Sequence, residues 1–405
     1  MSSSAHLRRF LRDLLPAGLR ATYHRYALQR DFGIEVRTGE RRAVLDRSLP
    51  RGLNVIGYFD SPTGIGQSAR ALARAAEVAG LAVARIDAAG LETSRPPVGA
   101  YASNLFHVNA DAAASTVEMC GPVLYRGHAN VAYWYWETDA FPARWSDRFA
   151  YFDEIWVASE FCRRSIARIS PIPVAVVPPP VIVDPAVGER TPSEGPFRFL
   201  TICDVESGVE RKNPLGAVRA FARAFPSDPG VLLSVKIGNA EAAPDLLDSL
   251  AEAAEASNVE VDGRPASRGD VERLLAECDA YVSLHRAEGF GLVIAEAMLL
   301  GKPVIATDYS GSRDFVDEAA GFPVPFLPVR LDRTAGPYEA GTRWAEPEEE
   351  EAARAMRRVV EDFPEARRRA EVGRRRIASR YGVEPAGRRV VERLETLNAR
   401  LAARP

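Results

Sequence analysis

Cysteine is scarce and scattered: Cys120, Cys162, Cys203 and Cys278 lie far apart in 405 residues, with no Cys-x-x-Cys pair. That spacing argues against a disulfide framework and suits free thiols in a reducing compartment, so a cytoplasmic protein is expected. Histidine is sparse too, with five residues whose spacing offers no zinc site. No Asp-x-Asp pair stands in a strand-end loop, so no metal is expected. No apolar run approaches the roughly 20 residues that span a bilayer. The opening MSSSAHLRRFLRDLL lacks the long apolar core of a secretory signal. Excess charge of one sign is also missing: 52 basic against 55 acidic residues leave −3, which gives no reason to expect nucleic acid as a partner. Repeats and low-complexity segments are absent. What remains is the balance of a soluble globular chain, 46% hydrophobic and 26% charged, long enough for two or three domains.

The most informative stretch is 283–307, SLHRAEGFGLVIAEAMLLGKPVIAT. A short strand over 279–284 enters a loop holding Gly289 and Gly291. A helix of about ten residues follows, stopped by Gly301, and 303–307 reads as a second buried strand. This is a β-loop-α-β unit, whose loop is where a parallel sheet places its ligand. The helix is apolar all round except for Glu296, and an acid in such a setting calls for a partner. Glu288 stands just before the helix N-terminus, where the amides of Gly289, Phe290, Gly291 and Leu292 face an anion, most naturally a phosphate. Two carboxylates beside a phosphate pocket suit the hydroxyls of a sugar and a ribose. An ordinary strand-turn-helix with a solvated Glu288 is the plainer alternative.

Glu288, seven residues and Glu296, within HRAEGFGLVIAEAM and before GKPVIAT, resemble the donor-site signature of the retaining glycosyltransferases of family four. The resemblance implies that Glu288 meets the transferred sugar, Glu296 the ribose, and the amides between them the diphosphate. It extends over nearly the whole chain from Asn54. It implies a GT-B fold: α/β, two doubly wound Rossmann-like domains facing a cleft. The boundaries read as a basic helical arm (1–50), an acceptor domain (51–185), a donor domain (195–380) and a final helix crossing back to the first domain (381–405).

In chain order, residues 6–30 hold Leu7, Phe10, Leu11, Leu14 and Leu15 on one helical face among six arginines. Such an arm either lies on an anionic membrane, at the inner face, or packs on its own domain. Residues 52–60 read as a first buried strand, followed by the loop SPTGIGQ, a helix from about Ser68 to Ala79, and a strand ending at Asp87. Gly64, Gly66 and Ala69 fit a G-x-G-x-x-A fingerprint with Asp87 about twenty residues on, so an NAD-dependent oxidoreductase is a rival reading. The glycines stand too far beyond the strand for the tight dinucleotide turn. By the resemblance, the same loop lines the cleft beside the donor.

Residues 104–109 and 130–136 read as further strands. YWYWETD, then F-P-x-x-W, then DEIWVAS resemble the first domain of one branch of the family. Many relatives carry a His at the end of this strand. Glu137 stands there instead, with His107 and His128 elsewhere, so Glu137 and His107 are the candidates for orienting groups at the reaction centre. In the alternative, Trp134 and Trp136 are core and Glu137 caps a turn. A proline-rich linker spans 178–196.

The second domain opens with a strand at 197–203. Asn213 and Pro214 start a helix, leaving Arg211 and Lys212 in a strand-end loop where two cations would neutralise a leaving diphosphate. A solvated pair is the alternative. Relatives often carry an Arg five residues before the Lys, where Ser207 stands here. Lys236 closes the next strand, and the loop at Gly263 and Arg264 approaches a nucleobase. Ser310, Gly311 and Ser312 form a small-residue loop like the family's. Residues 324–345 read as a long loop. The expected activity is transfer of a hexose from a nucleoside diphosphate sugar to a glycan, polysaccharide or lipid-linked hydroxyl, with no cofactor. A non-catalytic sugar-nucleotide-binding relative is the other alternative.

Overall fold

The computed structural model describes residues 45–91, 98–184, 195–254 and 258–403, with scattered positions between 16 and 41. Most of the basic arm, and residues 185–194 of the proline-rich linker, lie outside the described residues. The described positions within 19–32 are helical.

The first domain runs β1 (Leu53–Gly57), α1 (Gly64–Val78), β2 (Val83–Asp87), β3 (Ser103–His107), α2 (Ala110–Tyr125), β4 (Ala129–Trp134), β5 (Glu154–Val157), α3 (Glu160–Ala167) and β6 (Val174–Val176). Its six strands are all parallel, in the order β2-β1-β3-β4-β5-β6. Every residue of β1, β3, β4 and β5 is buried, as expected for strands covered by helices on both faces. Trp134 and Trp136 belong to an aromatic core with Phe141, Phe149 and Phe152, as their plainer reading had it.

The second domain runs β7 (Phe197–Asp204), α4 (Val209–Lys212), α5 (Pro214–Ala224), β8 (Val231–Gly238), α6 (Pro244–Ala254), β9 (Val259–Asp262), α7 (Arg268–Glu277), β10 (Ala280–Ser283), α8 (Leu292–Leu299), β11 (Val304–Thr307) and β12 (Phe322–Val324). A ribbon of β13 (Phe326–Arg330) and β14 (Arg343–Pro347) comes next, then α9 (Glu349–Glu361), α10 (Phe363–Tyr381) and α11 (Val383–Ala402). The parallel order β9-β8-β7-β10-β11-β12 reverses direction between β7 and β10. A crevice therefore opens at the carboxyl ends of those two strands, where open α/β sheets bind ligands. The molecule is thus two Rossmann-like lobes of GT-B architecture.

Three local expectations need correction. Helix α1 begins at Gly64, so both glycines of the fingerprint lie in its first turn. Arg211 and Lys212 sit on a short helical turn, α4, and not in open loop. Residues 324–345 are not one long loop: β13 and β14 pair antiparallel from Phe326↔Pro347 to Arg330↔Arg343, and only 331–342 form the irregular connection between them.

Helix α11 leaves the second domain and lies along α1, where Gly387 comes so close that a Cβ would stand 2.1 Å from the Ala75 carbonyl oxygen. Only a residue without a side chain permits that approach.

Candidate active site

The crevice between β7 and β10 is built by local signals. Asn213 adopts a left-handed conformation (φ 52°), accepts the Gly216 amide at 3.2 Å and donates to the Leu284 carbonyl at 2.9 Å. One side chain thus caps α5 and ties its start to the end of β10. Between them lies Glu288, bonded by Lys212 and 3.2 Å from Arg211 Nη1. Arg211 also donates to the Ser207 and Ala287 carbonyls, at 2.7 and 2.8 Å. Burial alone would push the Glu288 carboxyl up, but the two cations prevail and hold it at about 2. Arg211, also buried, is kept charged chiefly by Glu288.

The loop after β11 clasps the same turn. Ser310 Oγ accepts the Glu288 amide at 2.8 Å and the Gly311 amide donates to the Glu288 carbonyl at 2.9 Å. Gly311 passes so close that a Cβ would stand 2.2 Å from the Gly289 carbonyl oxygen. His285, absent from the sequence-derived candidates, is buried behind this loop between Ser283, Ser312 and the Tyr309 carbonyl. Burial pushes it down to about 4, so it is neutral.

Gly291 (φ +89°) turns the chain into α8, whose N-terminus receives no side-chain cap from it. The side chain of Phe290 is core, packed on Phe315 and Tyr381, so only its backbone is available to a ligand. Leu292 is partly buried. Gly289 also meets the first domain: its carbonyl accepts Ser159 Oγ at 2.6 Å and Cys162 Sγ at 3.2 Å.

Glu296 is 0% exposed and has the partners its setting demands. Arg268 donates to both oxygens, at 2.6 and 3.0 Å, and Gln67 of α1 donates to Oε1 at 2.8 Å. Burial raises its carboxyl to about 7 against the pull of Arg268. Neither partner is marked by the sequence beyond the Ser267–Asp270 capping box, which puts Arg268 in the first turn of α7. A cavity of about 350 Å³ between the end of β8, the loop after β9 and helix α7 is lined by Lys236, Asp262, Arg264, Pro265, Ala266 and Asp270, among others. Lys236 donates to the Arg264 carbonyl at 2.5 Å and lies 3.2 Å from Asp262. A Cβ on Gly263 would face Ala240 and Leu247, whereas its neighbour Arg264 lines this cavity.

Across the cleft, Gly64 has open space where a side chain would be, whereas a Cβ on Gly66 would meet the Tyr58 and Ser61 carbonyls at 2.5 and 2.6 Å. Gly66 therefore serves the turn between β1 and α1. The Asp87 carboxylate accepts the amides of Phe59 and Gly90, at 2.9 and 3.0 Å, which removes the support for its reading as a ribose anchor. His107 is also a correction. It is fully buried, stacked 4.4 Å from Tyr133, with Nε2 3.0 Å from Ser68 Oγ, and burial pushes it down to about 3. It braces Ser68 and Tyr135 and presents no surface to a substrate. Glu137 does lie at the cleft, where its Oε2 accepts the Tyr338 hydroxyl of the β13–β14 ribbon at 2.9 Å. Among the described residues, no group of three or more His, Cys, Asp or Glu could hold a metal ion.

The fold has well-matched counterparts. Sucrose-phosphate synthase from Thermosynechococcus elongatus superposes with a TM-score of 0.64 at 15% identity, over 86% of this chain and 99% of that one. A glycosyltransferase from Rickettsia africae ESF-5 gives 0.62 at 14%, over 86% and 98%. Anabaena HepE, solved with UDP and glucose, gives 0.59 at 15%, over 85% and 100%. At such identities the likeness establishes the fold alone. No curated protein matches the sequence. Residues 157–390, more than half of the chain, match the model of the family 4 glycosyltransferases in conflict systems. The crevice of Glu288, Arg211, Lys212 and Glu296 falls wholly within that match, and the chain belongs to this glycosyltransferase family.

Proposed function

We propose that the protein is a retaining glycosyltransferase of the Tyr-Trp-x-Trp-Glu branch. It moves a hexose from a nucleoside diphosphate sugar to a hydroxyl of a glycan, polysaccharide or lipid-linked acceptor, without a metal ion. The observation that carries this reading is the convergence of Glu288, Arg211, Lys212 and the α8 N-terminus on one crevice, with Glu296 on the same helix.

Arg211, Lys212 and the amides from Gly289 to Leu292 supply the positive field for the diphosphate. Glu288, released from Lys212 when phosphate arrives, accepts hydroxyls of the transferred sugar. Glu296 accepts ribose hydroxyls, and the cavity at Lys236 takes the base, whose identity is read by backbone and neighbouring loops. The bond from the anomeric carbon to the phosphate oxygen breaks, and the acceptor oxygen bonds to that carbon on the same face. The departing phosphate oxygen takes the acceptor proton. Gly64 lines the acceptor side, and Glu137 reaches the reaction centre from the first domain. A cytoplasmic site of action follows from the free thiols, with residues 6–30 as the contact to an anionic membrane.

Calorimetric titration with UDP, GDP, ADP and TDP, with and without magnesium, tests the site. One nucleotide is expected to bind in the micromolar range without metal, and Glu296→Ala is expected to abolish that binding. Failure of all four under both conditions would overturn the proposal.

A further inference from the structure

The β13–β14 ribbon is rooted in the donor site and ends in the acceptor domain. At its root, the Ala345 amide donates to the Arg286 carbonyl at 2.9 Å, and Arg286 grips Glu346 with two bonds of 2.6 and 2.9 Å. The same guanidinium donates to the Glu210 carbonyl at 2.7 Å. Arg286 stands two residues before Glu288, and Glu210 one residue before Arg211, so the root is fixed to both halves of the diphosphate crevice.

At its tip, Gly336 (φ +55°) allows a tight turn in which Ala335 and Tyr338 exchange backbone bonds of 2.9 and 3.0 Å. Arg144 of the first domain bonds Glu339 and donates to the Pro337 carbonyl at 2.6 Å. Leu331, Tyr338 and Trp344 join the aromatic core of the first domain, with the Tyr338 ring 5.3 Å from Trp136. Tyr338 is only 6% exposed, yet its hydroxyl finds one partner, Glu137 Oε2. Glu137 Oε1 has no protein hydrogen bond among the described residues and is left for a ligand.

We propose that Tyr338 is a positioning residue: the ribbon carries its hydroxyl from the donor domain to hold Glu137 over the transferred sugar, at a fixed place relative to Glu288. The inference rests on the transferase reading and adds to it the means by which the acceptor-domain carboxylate is set. A buried phenol whose one hydrogen bond among the described residues is to a carboxylate has no other reason there to prefer Tyr over Phe. Bonding to Oε2 also fixes the carboxylate rotamer, so Oε1 meets a sugar hydroxyl without first losing side-chain freedom.

The readout is the affinity advantage of an intact sugar nucleotide over its bare nucleotide. It is measured by calorimetry with UDP-glucose, UDP-N-acetylglucosamine, GDP-mannose, ADP-glucose and TDP-glucose against UDP, GDP, ADP and TDP. For the matching donor, Tyr338→Phe is expected to reduce that advantage about tenfold while the bare nucleotide binds unchanged. Glu137→Gln is expected to do the same, and the double variant to be no worse than Glu137→Gln alone. An unchanged advantage in Tyr338→Phe would overturn the proposal. So would an equal loss for nucleotide and sugar nucleotide, which marks a merely structural role, or additive effects in the double variant. A wild-type protein that binds a nucleotide but gains nothing from any sugar overturns this inference and leaves the donor site standing. One that binds no nucleotide overturns both.

Discussion

At the scale of single residues, the crevice holds two buried carboxylates pushed in opposite directions. Both start from an ordinary value of 4.5; Glu288 is held at about 2 by Lys212 and Arg211, and Glu296 is raised by burial to about 7. Glu288 therefore stays ionised from pH 5 to 9, whereas Glu296 gains its charge within that range. With Arg268 on both oxygens and Gln67 on Oε1, an ionised Glu296 keeps about one lone pair, on Oε2, for a ribose hydroxyl, and protonation takes that site away. Nucleotide affinity is accordingly expected to rise as pH increases through about 7 and to level off above it, by at most tenfold per pH unit. The nucleotide's own phosphate titrates nearby, so the quantity to measure is the difference between the wild type and Glu296→Gln. Parallel pH profiles for the two would show that Glu296 does not touch the nucleotide.

At the scale of elements, the same crevice depends on turns that come closer than a side chain allows. In Gly311→Ala, the new Cβ starts 2.2 Å from the Gly289 carbonyl oxygen. The loop after β11 must then back away from the turn carrying Glu288. A cost of about 1–3 kcal/mol, typical of overpacking, is expected in urea unfolding, together with weaker nucleotide binding. Binding that survives intact would mean that the α8 N-terminus is set without the Gly311 contact. These turns were legible in the sequence because each is local: Gly291 and Gly301 bracket α8, and Asn213–Pro214 opens α5. The buried strands were legible as short apolar runs. The ribbon was not. Pro328 and Pro347 interrupt its two strands, which pair only with each other outside the main sheets, and a proline in a run argues against a strand. The partners of the predicted acids were hidden for a different reason. Gln67 reaches Glu296 across 229 residues and Tyr338 reaches Glu137 across 201, and no local pattern records such distances.

At the scale of the whole molecule, the two domains are joined by contacts that the last helix completes. Glu154, in β5, is 0% exposed, yet it receives Arg393 at 2.5 and 2.7 Å and Arg400 at 3.1 Å from α11. The indole of Trp156 donates to the same carboxylate at 2.9 Å. A buried carboxylate so fully satisfied fixes where α11 crosses the first sheet, while Gly387 sets how near it comes to α1. Glu154→Gln keeps the size of the side chain and removes the charge, leaving two arginines to seek water. Removing one partner of a fully buried pair costs roughly 3–5 kcal/mol. Here the arginines are 28–29% exposed and partly solvated, so roughly 1–3 kcal/mol is the better expectation. The unfolding midpoint in urea should fall accordingly. Nucleotide affinity should not, because Arg211, Lys212 and Glu288 are bonded within the second domain, and Glu296 keeps both bonds from Arg268 of that domain beside the one from Gln67 of α1. A loss of nucleotide affinity in Glu154→Gln, at a denaturant concentration where the protein is still folded, would show the opposite: that the crevice is shaped by the clamp of α11 on the first domain as much as by its own loops.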